Sequence, residues 1–77
     1  MGPKELNITN EDFYDAIISV YDSAFYDKIT NFQINLLLKE DTDPMLLKDF
    51  LELCESLIQE FNVNIEFNIT DNAGLIN

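Results

Sequence analysis

The apolar residues of this chain change their spacing repeatedly along its 77 positions, from every second residue to a helical period and back, and few folds satisfy that alternation. Residues 4 to 9 set Leu6 and Ile8 against Glu5 and Asn7, the pattern of a short strand. Thr9 followed by Asp12 is a capping-box-like signal ahead of a helical pattern, so a first helix is predicted from near Asn10 to about Lys28. At roughly 100° per residue its predicted core face holds Phe13, Tyr14, Ile17, Ile18, Val20, Tyr21, Ala24 and Phe25, with Asp15, Ser19, Asp22 and Tyr26 opposite.

From Asn31 to Lys39 the period returns to two, with Phe32, Ile34, Leu36 and Leu38 on one face and Leu37 among polar residues on the other, which predicts a central strand. Asp43 as N-cap and Pro44 at the first helical position then open a second helix running to Phe61. Its apolar arc holds Leu46, Leu47, Phe50, Leu51, Leu53, Cys54, Leu57, Ile58 and Phe61, and Lys48, Asp49, Glu52, Glu55, Ser56, Gln59 and Glu60 fill the rest. Val63, Ile65, Phe67 and Ile69 alternate with Asn62, Asn64, Glu66, Asn68 and Thr70 as a third strand, and Asp71 to Asn77 reads as a polar tail. Met1 to Pro3 read as a leading remnant outside the fold, so residues 1–77 are predicted to form a single domain.

The predicted fold class is therefore α/β, a small two-layer sandwich in the order strand, helix, strand, helix, strand. Right-handed crossovers put both helices on one face of a three-stranded, mostly parallel sheet when the strand order steps steadily one way. The other face, rich in Asn, is left to solvent, and two open edges invite a homodimer or an edge-bound partner.

Charge restricts what such a domain can do. Asp and Glu supply 15 residues against four Lys, without Arg or His, for a net charge of −11. The chain thus lacks guanidinium clamps for phosphate and the side chain most used for metal binding and for acid–base chemistry near neutral pH. Direct nucleic-acid binding, which needs a basic patch, is not expected. The single Cys54 forms no internal disulfide, and no apolar run is long enough to span a bilayer, so a cytoplasmic protein without membrane association is expected. Asn-Ile-Thr occurs at Asn7 and Asn68, and without a secretion signal these sequons read as chance.

Glu40, Asp41 and Asp43 crowd one loop, but the turn glycine of a calcium loop is missing and Leu46 and Leu47 stand where ligands would continue. Every helical carboxylate maps to a polar face, and Cys54 falls in an apolar arc with no cation near it in sequence. No catalytic residue, metal or cofactor is expected. The remaining signal is one broad anionic surface, with Asp12, Asp15 and Asp22 on the outer face of the first helix, Asp49, Glu52 and Glu55 on that of the second, and the loop from Glu40 to Asp43 beside its start. Asp49, Glu52, Glu55, Glu40 and Asp41 are the predicted partner-contact residues, with Tyr26 as an exposed aromatic anchor. Asp49 to Glu55 spans about 9 Å of helix, three charges at a spacing near the roughly 3.4 Å per charge of one DNA strand. In size and charge the chain resembles small acidic inhibitors such as immunity proteins and phage-type anti-defence proteins. That implies a non-catalytic module masking the basic surface of a nucleic-acid-handling partner. The competing expectation is a structural accessory domain that oligomerises through a sheet edge.

A second resemblance lies in Leu46 to Ile65. Asp49, Glu52, Leu53, Leu57, Glu60, Phe61 and Ile65 make this stretch similar to the second helix of acyl carrier proteins over about a quarter of the chain. The resemblance implies an alternative fold, an all-α acyl-carrier-like bundle in which two of the strand-like segments become loops. That family carries phosphopantetheine on the Ser of an Asp-Ser-Leu motif, where this chain has Leu46, Leu47 and Lys48, and the Asp22–Ser23 pair does not substitute. The implied function is then a docking domain without its prosthetic group.

Overall fold

A computed structural model describes residues 2–9 and 11–71. Three strands and two helices alternate: β1 (Lys4–Thr9), α1 (Phe13–Phe25), β2 (Asn31–Leu38), α2 (Pro44–Phe61) and β3 (Asn64–Asp71). The sheet order is β1-β2-β3 with both pairings parallel, so β2 is central. This is the predicted α/β sandwich. The all-α alternative is corrected, because residues 4–9, 31–38 and 64–71 are in-register strands of one ladder rather than loops.

Both helices cover the face defined by Ile8, Phe32, Ile34 and Leu36, which form one buried cluster with Phe13, Val20, Phe50, Cys54 and Leu57. The Phe13 and Phe50 rings stack with centroids 4.7 Å apart and join the two helices. On the outer face the register aligns Asn7, Asn35 and Asn68 in one rung. Asn35 Nδ2 donates to Asn7 Oδ1 at 2.9 Å and to Glu5 Oε1 at 3.1 Å, so carboxamides brace the uncovered side of the sheet.

The helix ends follow their caps. Asp43 Oδ1 accepts from the Met45 amide at 2.9 Å, and Asn62 closes α2 in the left-handed conformation at φ 55°. That conformation keeps Asn62 out of the strand, so β3 begins at Asn64 and Val63 is buried ahead of it. Asp71 belongs to β3 and not to the tail, and the remainder of the predicted tail, 72–77, lies outside the described residues.

The first helix departs further from expectation. The predicted start, Asn10, lies outside the described residues, and the helix begins at Phe13 with Asp12 at its cap position. The Asp12 carboxylate instead accepts from the Thr9 amide and hydroxyl, both at 3.2 Å, so the box ties down the turn before the helix. The helix ends three residues short of Lys28 because Lys28 itself is left-handed at φ 57°. The Ser23 carbonyl accepts from the Asp27 and Ile29 amides and closes that end.

The buried face of α1 is rotated from the predicted one. Phe13, Ala16, Val20, Ser23 and Ala24 meet the core, while Tyr14, Ile18, Tyr21 and Phe25 are exposed. Small side chains at 16, 23 and 24 let the helix backbone approach the sheet, and that turns the bulky stripe outward. Ser23 is buried but satisfied, since its Oγ accepts from Lys4 Nζ at 2.7 Å. On α2 the exception is Leu53, exposed although its position closes the apolar arc.

Candidate protein-binding surface

Because α1 and α2 lie side by side on one face of the sheet, their outer sides meet at a narrow groove of only about 10 Å³, with Phe13 and Phe50 as its floor and Tyr14, Ile17, Leu46, Asp49 and Leu53 along it. Tyr14, Ile18, Tyr21 and Phe25 recur at the spacing of one helical face and lead from the groove, which Tyr14 lines, along the outer side of α1. Tyr14 is 63% exposed and Ile18 59%, values that single out a solvent-facing stripe rather than a ragged core edge. At the C-terminal end of the helices the stripe becomes an aromatic cluster. Tyr21 stacks on Phe25 with centroids 5.8 Å apart, and Phe61 of α2 meets Tyr21 edge-on at 5.3 Å. Lys28 Nζ lies 5.6 Å from the Phe25 centroid and donates to the Phe25 carbonyl at 3.0 Å, satisfying one of the free carbonyls of the last turn.

The predicted contact residues divide by position. Asp49 and Glu52 share a shallow hollow with Tyr14, Leu53 and Ser56, so two of the predicted carboxylates border the apolar groove. Glu55 is exposed but stands about 120° round α2 from Asp49, on the flank turned away from the groove. Glu40 and Asp41 are exposed at the tip of the β2–α2 loop, where Thr42 Oγ1 accepts from the Lys39 amide at 3.0 Å. Tyr26 is exposed as predicted, but it closes α1 about 18 Å along the helix from Tyr14. The acids therefore rim the helical layer at several points. Asp15 and Asp22 add to that rim from the outer flank of α1.

Sequence reasoning missed Tyr14, Ile18, Tyr21, Phe25 and Leu53 as surface residues. A signal was present: the apolar arc of the first helix spans far more than the roughly 100° that one packing contact uses. An arc of that width has material for two interfaces.

The groups exposed at this surface are aromatic, aliphatic and carboxylate side chains. Cys54 is fully buried, and burial pushes its thiol up from 9.0 to about 12, so it is neutral at physiological pH. Among the described residues no three of the Cys, Asp and Glu side chains converge as a metal-binding group, and Asp43 is engaged as a cap. The exposed ion pair Lys39–Glu11, at 3.7 Å, ties the β2–α2 loop to the turn before α1 and contributes at most about 1 kcal/mol. The strand order steps one way without reversing, so the sheet has no switch point of the kind that holds ligands in doubly wound sheets, and the hollow of about 300 Å³ at the carboxyl ends of its strands is lined by Asn7, Thr9, Asn35, Leu37 and Thr70 among others, none of the described ones charged. A hollow of about 510 Å³ at the opposite end, lined by Pro3, Asn31, Phe32, Ile58 and Val63 among others, has Glu66 as the one charged residue among the described residues that line it. Among the described residues no helix is long and apolar enough to cross a membrane. No family model matches the chain, and comparisons with curated proteins and with solved structures return no match.

Proposed function

We propose that this protein is a non-catalytic binding module whose helical face masks a basic surface on a protein partner, in the manner of a small inhibitor or immunity-type protein. One observation carries the reading: the exposed stripe Tyr14, Ile18, Tyr21 and Phe25 begins at Tyr14 beside Asp49 and Glu52 and ends against Phe61, which puts apolar side chains and carboxylates on one surface. Interfaces concentrate their energy in such buried aromatic and aliphatic centres, while rim charges steer the encounter. A net charge of −11 makes a basic partner the complementary one, and nucleic-acid-handling proteins present such surfaces. A cytoplasmic setting goes with this reading, where the buried Cys54 stays reduced.

The experiment is affinity capture from source-cell lysate at low and high salt, comparing wild type with Asp49→Lys/Glu52→Lys and with Ile18→Ser. Basic nucleic-acid-handling proteins are expected on wild type at low salt, absent with the charge reversal and reduced with Ile18→Ser. Identical capture by all three proteins would sink the reading.

A further inference from the structure

The two edges of the sheet are not alike. β1 is six residues long and turns Lys4 toward the helical layer, where its ammonium is held by Ser23. A charge pointing inward on an edge strand is a known block to pairing with another chain. β3 is eight residues long, contains neither Lys nor Pro, and alternates apolar with polar along its length. No described strand pairs with its outer side.

The backbone of β3 says which groups are open. The Asn64 amide donates to the Thr30 carbonyl at 2.8 Å, and Asn64 is in register with Asn31. In a parallel ladder alternate residues bond to the same neighbour, so residues 64, 66, 68 and 70 turn their amides and carbonyls toward β2. Those of Ile65, Phe67 and Ile69 face the open side. The same three residues supply the apolar row of β3, which α2 covers only in part: Ile65 and Phe67 are half-buried and Ile69 is 47% exposed.

We propose that β3 pairs antiparallel with β3 of a second copy, about a two-fold axis passing between Phe67 and Phe67 of the partner subunit. In that register Ile65 lies opposite Ile69 of the partner subunit, and all three open residues of each copy form hydrogen-bonded pairs. Glu66 falls opposite Asn68 of the partner subunit at a non-hydrogen-bonded position, where side chains approach most closely. A carboxamide donating to a carboxylate across strands already occurs on this face between Asn35 and Glu5. A register centred on Glu66 would set two carboxylates face to face. The Phe67 register avoids like charges directly opposite and extends the apolar row across the junction. The product is a six-stranded sheet with four helices on one side, which presents two copies of the anionic face side by side.

The dimer stands independently of the basic partner, and salt separates the two. Two chains of −11 repel, so self-association strengthens as salt rises, whereas capture of a basic partner weakens. Sedimentation equilibrium of the full chain across a sodium chloride series is expected to show a monomer–dimer equilibrium that shifts toward dimer with salt. Asn68→Lys, which meets Glu66 of the partner subunit twice by symmetry, should tighten the dimer, and Asn68→Glu should loosen it, each by about tenfold. Both changes are on the exposed face. Asn7→Lys, the same change in the same rung at the β1 edge, should have little effect, and Ile69→Pro should leave monomer, with circular dichroism to check its fold. A chain that stays monomeric at every salt concentration, or a dimer that Asn68→Lys weakens as much as Asn68→Glu, would overturn the proposal.

Discussion

Cys54 illustrates how position in a helix decides the chemistry of a side chain. It stands on the buried arc of α2 between Phe50 and Leu57, with no cation to stabilise a thiolate, and burial alone raises its pKa to about 12. A raised folded-state value means that the native state holds this proton more tightly than the unfolded chain does. The stabilisation is thus fully present below the unfolded value of 9.0 and is lost as pH climbs from there toward about 12. Two results follow. Native protein at pH 8 should react with a disulfide reagent only at the rate of unfolding, and labelling as fast as in denaturant would contradict the burial. The stability difference between wild type and Cys54→Ala, measured by urea unfolding, should shrink between about pH 8 and about pH 10.5. The comparison with the variant isolates the contribution of the thiol from that of the rest of the chain.

At the scale of elements, the orientation of α1 decides which of its residues belong to the core. Ala16 packs against the sheet at 3% exposure while Ile18 faces solvent, the reverse of what residue size suggests. Ala16→Leu should cost about 1–3 kcal/mol through overpacking, and Ile18→Ser no more than about 0.5 kcal/mol. Urea unfolding of both variants checks this, and the opposite order would place the helix in the orientation read from sequence. The outcome bears on function, because the stripe is available to a partner only if Ile18 is outside. The strands and α2 were legible because each has one apolar face with a sharp boundary, and α2 also has Asp43 and Pro44 as an unambiguous start, whereas Asn62 read as part of the strand and is the left-handed cap. α1 was legible as a helix but not as an orientation. Periodicity weighs apolar residues by hydrophobicity, and close approach to the sheet selects small ones, so Ala16, Ser23 and Ala24 outweighed Tyr14 and Tyr21. Of the predicted contact residues, Asp49 lines the groove and Glu52 shares the hollow beside it, while Glu55 and Tyr26 were separated from it by the turn and length of their helices, which a list of exposed residues does not encode.

At the scale of the whole molecule, charge and shape act together. The fold measures 38 × 26 × 17 Å, so at about 0.01 M salt, where the screening length is roughly 30 Å, nearly every carboxylate repels nearly every other. At about 0.1 M that length falls to roughly 10 Å, shorter than any dimension of the fold, and only neighbouring charges still interact strongly. The described residues include a single ion pair to offset the excess, and it is exposed. The unfolded chain spreads the same charges over a larger volume, so repulsion weighs more on the native state. The melting temperature should therefore rise with sodium chloride, steeply below about 0.1 M and slowly above it. Sodium chloride is the salt to use, since sulfate strengthens apolar burial in its own right and would raise the curve throughout. A melting temperature independent of salt below about 0.1 M would mean that the acids are spaced widely enough to be neutral for stability.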